Sequence, residues 1–406
     1  MPTSFFFSKN KWFTLYELSA QWLIALLFVG VVSGSSSALF LYSLERITLL
    51  RGNYPFFLYA LPFVGLFIGW FYQKGGDRVG KGNNLILEEI NVPTQQKIPL
   101  KMSLWVLVGT LLTHLSGGSA GREGTAVQMS ASLSDQFPLK RFYRVNRSIF
   151  LRASIAAGFA SVFGTPLAGI LFALEVPQRG KIAFSALVPC LIAAFWADTV
   201  CHFWGATHSV YPTIAFLKLD IQTLGKLAIA SICFALSSWL FIQIGELVTK
   251  KIRALIPDKR FQPFWGGLIL LICFLVFPLD ELQGLGLPTL SAAFEQTAAP
   301  YLFLGKLVFT AFTLSVGFKG GEVTPLFFIG ATLGSYLASV LGIPTDYLAA
   351  LGFIGVFAGA TKTPWACVFI GYELFGAANS VAYLFICFSV YFLSGENSIY
   401  TAQRKS

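Results

Sequence analysis

Two glutamates stand in glycine-rich turns of a chain that is otherwise strongly apolar. Glu123 lies in the sequence G-R-E-G-T (121–125), and Glu322 lies in G-G-E-V-T-P (320–325). A charge near the centre of a bilayer costs at least ~2.5–3.5 kcal/mol and generally marks a pathway for ions or substrate. Glycines leave backbone N–H groups free to face a ligand, and a helix N-terminus attracts anions. A carboxylate at such a helix start occupies an anion's place until a proton neutralises it, so Glu123 is a candidate both to gate an anion and to move a proton.

Each glutamate also has a structural interpretation. Glu123 could be a helix-capping acid paired with Arg122, and Glu322 could form an ion pair with Lys319. Because proline is favoured in the first turn of a helix, Thr324 is interpreted as an N-cap residue immediately before Pro325.

Two further segments carry polar groups that suit an anion. The sequence G-N-N-L-I (82–86) offers the amide donors of Asn83 and Asn84, although Asn-Asn after glycine is also typical of a turn. The sequence S-I-Y-T-A (398–402) offers the phenolic donor of Tyr400, which otherwise fits an interfacial tyrosine.

The composition indicates how these groups must be positioned. The chain has 406 residues, of which 55% are hydrophobic and 12% are charged, whereas soluble domains carry roughly 25% charged residues. This predicts an all-α polytopic membrane protein built as one large bundle. Some of the apolar runs are shorter than the ~20 residues that span a bilayer, and others are long enough for two broken helices. The runs are 22–44, 56–72, 102–116, 149–176, 183–203, 225–247, 264–279, 301–317, 325–341, 348–375 and 378–394.

The net charge of +10 does not indicate nucleic-acid binding. The basic residues cluster in short loops, as in 140–147 and 250–259, which is typical of the positive-inside rule. Lys9 and Lys11 precede the first apolar run and predict a cytoplasmic N-terminus. A cleavable signal is disfavoured because that run continues past its small residues through Leu44.

The second half of the sequence repeats the first at an offset near 200 residues. The matched segments are L-V-x-T-x-x-T at 107–113 and 307–313, Gly117 and Gly317, G-x-E-x-T at 121–125 and 320–324, F-A at 159–160 and 357–358, T-P-x-A at 165–168 and 363–366, and Glu175 and Glu373. This alignment drops one residue before the second G-x-E-x-T, which makes Glu322 the counterpart of Glu123. It predicts two membrane repeats, 1–206 and 207–406, and a transporter whose ion site lies near mid-membrane between helix ends.

Other chemistries find little support. The six cysteines are scattered through apolar segments and are interpreted as packing residues. His202 and His208 flank a Trp-Gly turn near Cys201, but without a fourth ligand we expect no metal site and no cofactor. An intramembrane enzyme would need a nucleophile–base pair or metal ligands; no H-E-x-x-H occurs, and a transporter is expected instead.

Taken together and in order, these segments resemble the CLC family of anion channels and anion/proton antiporters over most of the chain. The family's G-S-G-I-P, G-R-E-G-P and G-x-F-x-P correspond to the sequences at 82–86, 121–125 and 321–325, and its late tyrosine corresponds to Tyr400. The resemblance implies two inverted repeats with broken helices that meet at a mid-membrane anion site, and one pore in each half of a homodimer.

The departures from the family pattern favour one branch. Asn83 replaces the serine of chloride-selective members, Thr125 replaces their proline, and Val323 replaces their phenylalanine. Val176 stands where many chloride/proton exchangers carry a second internal glutamate. These features resemble the bacterial fluoride/proton antiporters, in which Glu322 would be the second proton-linked acid.

The resemblance, with the chemistry of the side chains, implies a set of site residues. Fluoride is small and strongly hydrated, so its site needs strong donors and positive aromatic edges. Phe328 is favoured over Phe327 for such an edge. The expected site contains Glu123 for gating and proton transfer, Glu322 as the proton-linked acid, and Asn83, Asn84, Gly124, Val323, Thr324, Phe328 and Tyr400 around the anion.

The predicted function is export of cytoplasmic fluoride in exchange for protons, by a multi-pass homodimer in the lipid bilayer of a bacterial inner membrane. A chloride-preferring CLC exchanger and an anion channel remain as alternatives. Since six residues follow Tyr400 (406 − 400), no cytosolic regulatory domain is expected.

Overall fold

The computed structural model describes residues 9–94, 96–141, 145–277 and 279–405. Residues 142–144, which belong to the predicted basic cluster at 140–147, lie outside the described residues, as do the side chains of Lys9 and Lys11.

The described part of the chain is helical, and its elements follow the predicted apolar runs. The α-helices are α1 (Lys9–Asn53), α2 (Leu61–Gly75), α3 (Asp77–Gly80), α4 (Asn83–Asn91), α5 (Lys101–Leu115), α6 (Glu123–Ser134), α7 (Arg147–Phe163), α8 (Pro166–Glu175), α9 (Leu187–Phe203), α10 (Ile221–Leu255), α11 (Gln262–Val276), α12 (Leu287–Ala292), α13 (Pro300–Ser315), α14 (Val323–Leu341), α15 (Thr345–Thr361), α16 (Pro364–Phe375) and α17 (Ser380–Leu393).

Within those ranges, five helical segments are long and apolar enough to cross a membrane. The other apolar helices are shorter, with 10–17 residues, and several of them break inside one apolar run. The run at 149–176 divides into α7 and α8 because Gly164 takes a left-handed conformation after α7 and Pro166 opens α8. The run at 348–375 divides in the same way into α15 and α16. This confirms the prediction of broken helices.

Helices α14 and α15 pack closely through glycine. A Cβ at Gly330 would lie 2.0 Å from the carbonyl oxygen of Gly352, and a Cβ at Gly334 would lie 2.1 Å from that of Leu348. Any larger side chain would force the two backbones apart. In a bilayer, helices gain stability from such close packing rather than from hydrophobic burial, so these glycines fix the position of α14.

Helices α8 and α16 cap one another through two glutamates. The Glu373 carboxylate, near the end of α16, accepts hydrogen bonds from the first N–H groups of α8, at Leu167 (2.9 Å) and Ala168 (2.8 Å). In return, the Glu175 carboxylate at the end of α8 accepts from the first N–H groups of α16, with distances of 3.3 and 3.1 Å. Each acid satisfies N–H groups that a helix start leaves unpaired. The reciprocal arrangement is the contact that a two-fold relation between repeats would produce.

An ionic cluster joins α4 to the end of α6. The Arg147 guanidinium lies 2.7 Å from a carboxylate oxygen of Glu89 in α4 and 2.7 Å from one of Asp135, which follows α6. Arg78 also contacts Glu89, at 2.8 Å. Helix α4 starts at Asn83, and helix α6 starts at Glu123. The cluster therefore joins the C-terminal ends of the two helices whose first residues are Asn83 and Glu123.

Candidate anion and proton site

Two glycines cross where α6 and α14 begin. Gly121 and Gly321 exchange backbone hydrogen bonds of 2.6 and 2.8 Å. A Cβ at Gly121 would lie 2.9 Å from the Gly321 carbonyl oxygen, and a Cβ at Gly321 would lie 2.8 Å from the amide nitrogen of Gly124. Only glycine allows the two turns to approach so closely. The crossing therefore brings the N-termini of two helices, one from each half of the chain, to a shared point.

The crossing corrects the alignment of the two halves. Helices α5 and α13 end at residues 115 and 315, the paired glycines are 121 and 321, and α6 and α14 begin at 123 and 323. The offset is 200 throughout, so no residue drops out before the second helix. The match of G-x-E-x-T at an offset of 199 was wrong, because Gly121 pairs with Gly321 and not with Gly320.

The two glutamates consequently occupy non-equivalent positions. Glu123 is the first residue of α6 and corresponds to Val323, the first residue of α14. Glu322 is the N-cap residue of α14 and corresponds to Arg122, the N-cap residue of α6. The two acids therefore point in different directions from equivalent turns.

The Glu123 carboxylate is buried and lies at the start of α14 rather than over its own helix. It accepts hydrogen bonds from the Thr324 hydroxyl (2.7 Å to each oxygen), the Thr324 backbone N–H (3.1 Å) and the Arg122 backbone N–H (3.3 Å). The Arg122 Nε lies 3.5 Å from one oxygen. A carboxylate held by a helix N-terminus from the opposite repeat stands where an anion would bind.

Thr324 serves a different purpose from the one its sequence context suggested. Helix α14 begins at Val323 with Glu322 as its N-cap residue, so Thr324 lies inside the first turn. The N-cap interpretation was wrong. From the first turn of α14, Thr324 donates both its hydroxyl and its backbone N–H to Glu123.

Glu322 has no ion-pair partner among the described residues. The Lys319 ammonium lies 4.1 Å above the ring of Tyr72, a cation–π contact, which excludes the ion pair that sequence proximity allowed. The Glu322 Oε2 atom is buried without a hydrogen-bond partner. The residue lines a cavity of about 690 Å³ together with Asn84, Lys250 and other polar residues.

A small central cavity brings most of the predicted site residues together. It has a volume of about 20 Å³ and is lined by Asn83, Glu123, Gly124, Val323 and Tyr400. A cavity of roughly 10–15 Å³ is already enough for one water molecule. The Asn83 amide nitrogen lies 3.0 Å from the position that a Cβ on Gly124 would occupy, and Glu322 Oε2 lies 3.3 Å from it. Gly124 thus leaves open the space between the central cavity and the second acid.

The two asparagines separate. Asn83 opens α4 beside the central cavity, and its Oδ1 atom is buried without a hydrogen-bond partner. Asn84 instead accepts a hydrogen bond from the backbone N–H of Ala402 (3.0 Å) and lines the cavity that contains Glu322. The structure therefore places Asn83 at the centre and gives Asn84 the role of fixing the segment that carries Tyr400.

Neither phenylalanine after Pro325 lines the central cavity. Phe328 packs against Lys306, whose ammonium lies 5.2 Å from the ring centroid. Phe327 stacks on Phe353 with centroids 3.9 Å apart. The aromatic wall of the cavity comes instead from Phe159 and Phe172, and the Phe172 ring meets Tyr400 edge-on at 6.3 Å.

The remaining lining residues are apolar, and the sequence alone did not single most of them out. They are Ile86, Leu87, Val127, Ile155 and Val176. Only Val176 had been noted, as the residue at the place of a missing glutamate. Phe172 could have been found in the P-L-A-G-I-L-F stretch, but nothing in a single apolar run indicates which side faces a cavity.

Thr125, whose identity distinguished the chain from chloride-selective relatives, is buried away from the anion position. Its hydroxyl pairs with that of Thr110 at 2.7 Å. In a proline-containing relative this helix turn would lack that contact, so Thr125 contributes to how α6 packs on α5.

Two wider cavities, each lined by acidic and basic side chains, lie beside the central site. One of about 560 Å³ reaches Arg122 and includes Arg51 with the acidic residues Glu45, Asp280 and Glu281. The cavity beside Glu322 includes Lys250 and Arg253 together with Glu246. Because Lys250 and Arg253 belong to the basic cluster at 250–259, the positive-inside rule indicates that the second cavity is on the cytoplasmic side. The Arg122 side chain also donates to the Ser209 hydroxyl (3.3 Å) at the edge of the first, outer cavity.

Known proteins resemble this chain over most of its length. The family model described as voltage gated chloride channel matches residues 64–394. A protein of Pseudomonas syringae pv. tomato named "Chloride/fluoride channel protein" is 42% identical, covering 98% of this chain and 89% of the relative.

Solved structures resemble the fold as well. A CLC-type fluoride/proton antiporter superposes with a TM-score of 0.92 at 36% identity, covering 100% of both chains. A slow cyanobacterial chloride/proton antiporter superposes with a TM-score of 0.80 over 94% of this chain and 96% of the other, at 19% identity, which concerns the fold alone. The chain is therefore a polytopic membrane protein with the CLC fold, and it belongs to the voltage gated chloride channel (CLC) family.

Proposed function

We propose that this chain is a fluoride/proton antiporter that expels fluoride in exchange for protons. The observation that carries the proposal is the Glu123 carboxylate, held by Thr324 at the start of α14 and lining one small cavity with Asn83 and Tyr400. A carboxylate in an anion's place competes with the anion. Protonation removes its charge, so anion entry and proton uptake become coupled through one side chain.

The size and donors of the central cavity support fluoride as the anion. A space of about 20 Å³ suits a particle of the size of water. Fluoride must exchange its hydration shell for strong donors, and the Asn83 amide, the Thr324 hydroxyl and the backbone N–H groups of α14 are of that kind. The names of two similar proteins, a chloride/fluoride channel protein and a fluoride/proton antiporter, agree with this assignment.

Glu322 suits the inner step of the proton pathway. Its unpaired Oε2 atom lies beside Gly124, and the residue opens into the cavity with Lys250 and Arg253. A proton released by Glu123 passes to Glu322 and then to the cytoplasm. Lys250 and Arg253, which line this cavity together with Glu246, offer positive charges to outgoing fluoride.

The direction of exchange follows from the chemistry of HF. The neutral acid enters cells and ionises in the more alkaline cytoplasm, where fluoride is trapped. An exchanger in the bacterial inner membrane uses incoming protons to remove it. The family resemblance supports a homodimer with one site in each subunit.

Paired flux measurements test the proposal. Liposomes that contain the purified protein and a fluoride load are expected to release fluoride and take up protons at a fixed ratio. The control uses the same vesicles loaded with chloride instead of fluoride. Release of chloride as fast as fluoride would contradict fluoride selectivity.

An anion channel is the second candidate, because the Pseudomonas relative is named a channel. The reversal potential separates the two functions. An exchanger shifts it when the pH gradient changes at constant fluoride gradient, whereas a channel does not.

A further inference from the structure

We propose that Asp198, His202 and His208 form a binding site for Zn²⁺ at the outer cavity, through which the metal slows transport. One potential ligand atom from each residue lies within 4.8 Å of the others. Two imidazoles and one carboxylate are a donor set that zinc takes in open, three-ligand sites. The sequence offered Cys201 beside the two histidines without a fourth ligand, and no metal site was expected; Cys201 is buried, and Asp198 lies with the histidines instead.

The helix register accounts for the cluster. Asp198 and His202 are four residues apart in α9 and therefore share one face of the helix. The chain then turns at Gly205, which has a φ of +79°, and returns His208 toward the same face. The centroids of the two imidazole rings are 4.9 Å apart.

The hydrogen bonds of the two histidines leave one nitrogen in each ring available to bind a metal. His202 Nδ1 lies 2.9 Å from the Asp198 carbonyl oxygen, and His208 Nε2 lies 3.0 Å from the Ser161 carbonyl oxygen. A carbonyl only accepts, so each of these nitrogens carries the proton. The other nitrogen of each ring then holds a lone pair, which is how metal-binding histidines are usually oriented.

The Asp198 carboxylate supplies an independent indication. Its Oδ1 atom is buried without a hydrogen-bond partner, and the nearest histidine nitrogen, His202 Nδ1, lies 3.5 Å away, too far for a good hydrogen bond. Metal–ligand bonds of about 2.0–2.2 Å put tetrahedral ligands about 3.3 Å apart. The exposed side chain of His202 must rotate to bring Nε2, the nitrogen with the lone pair, to that distance from the Asp198 carboxylate.

The position of the site links it to the gate. His208 and Ser209 both line the outer cavity, and the Ser209 hydroxyl accepts a hydrogen bond from Arg122 (3.3 Å). Arg122 in turn lies 3.5 Å from the Glu123 carboxylate. Zinc bound to His208 would hold this loop, and with it Arg122, in one arrangement. This effect on transport rests on the proposed function, whereas metal binding does not.

The site can be tested by calorimetry. The chain is purified in detergent without a polyhistidine tag and titrated with ZnCl₂. One zinc per chain is expected, with no comparable heat from MgCl₂, because magnesium prefers six oxygen ligands. His202→Ala and His208→Gln should each weaken zinc binding by more than the roughly 10–100-fold cost of losing an outer-shell partner. The amide of His208→Gln can still donate a hydrogen bond to the Ser161 carbonyl. A loss of zinc binding in this variant therefore reports a lost ligand and not a misfolded loop.

The control variant is Thr199→Ala. Thr199 is next to Asp198 in sequence, and its exposed hydroxyl donates a hydrogen bond to the Phe195 carbonyl of the same helix. It should bind zinc as the parent chain does. Unchanged zinc affinity in both histidine variants would overturn the site.

Fluoride release from liposomes tests the effect on transport. External zinc should slow release by the parent chain several-fold and should leave the His202→Ala variant unaffected. Zinc binding with unchanged fluoride release would overturn the regulatory part of the proposal. A parent chain that binds zinc but carries no fluoride would contradict the proposed function and leave the metal site standing.

Discussion

The Glu123 carboxylate accepts hydrogen bonds from Thr324 and lies 3.5 Å from Arg122, whereas the Glu322 carboxylate has an oxygen without any donor. The turns that carry them follow the same path, paired through Gly121 and Gly321. The difference arises because Glu123 is one position further along its turn than Glu322. One residue of displacement places the first acid on the start of the opposite helix and the second beside the inner cavity.

This contrast assigns different tasks to similar groups. In the proposed mechanism, an acid held by several donors stands in the place of the anion. An acid with one oxygen that lacks a donor, open to the cavity with Lys250 and Arg253, is suited to exchange protons with the cytoplasmic side. Four predictions test the contrast, in descending order of expected effect.

Glu123→Gln should abolish proton uptake coupled to fluoride release. The amide keeps the shape of the side chain, but it neither carries the proton nor competes as a charge. The measurement is simultaneous recording of fluoride and pH outside loaded liposomes. Coupled exchange at the parent rate would remove Glu123 from the mechanism.

Gly321→Ala should destabilise the protein by about 3 kcal/mol, at the upper end of the usual range for overpacking. The added Cβ would lie 2.8 Å from the Gly124 amide nitrogen and would separate the two helix starts. Gly52→Ala is the matched control, because nothing lies within 4 Å of that Cβ. Thermal unfolding in detergent should distinguish the two variants, and equal stabilities would show that the crossing tolerates expansion.

Glu322→Gln should slow exchange by about 100-fold, at the low end of the range for losing a positioned proton-transfer group. Fluoride binding measured by calorimetry should stay close to that of the parent chain, because the Glu123 contacts remain. Exchange at the parent rate would mean that protons reach the cytoplasm by another route.

Thr324→Val and Thr125→Val make the same change at two buried threonines that the sequence alignment had equated. Thr324 donates to the Glu123 carboxylate, and its loss should cost about 1.5–3 kcal/mol of stability. Thr125 pairs with the neutral hydroxyl of Thr110, so its loss should cost only about 0.5–1.5 kcal/mol. Thermal unfolding measures both, and a larger loss at Thr125 would contradict the assigned contacts.

Much of the site was predictable because its chemistry is local. Glycine next to an acid in an apolar chain identified Glu123 and Glu322, and the segments around Asn83, Val323 and Tyr400 were identified by their resemblance to the family. The helix breaks before Pro166 and Pro364 were predictable for the same reason, since proline and glycine act on the adjacent backbone. The boundary of the two repeats at 206/207 stays a prediction.

Contacts between distant segments were not predictable in the same way. Phe172 rather than Phe328 faces the central cavity, because the side of a fully apolar helix that faces inward depends on its neighbours. Lys319 lies over Tyr72 rather than beside Glu322, although only two residues separate it from the acid in sequence. Asp198 joins two histidines because the loop after α9 folds back on the helix.

The sequence by itself determined that the chain is a helical membrane protein with acids at two glycine-rich helix starts. Those properties depend on side-chain hydrophobicity and on the backbone freedom of single residues. Only the tertiary structure decided the register in which the two halves meet, and hence which acid is held by donors and which faces the inner cavity. The hydrogen bonds between Gly121 and Gly321 fix that register, and they form only when the starts of two helices 200 residues apart in sequence meet.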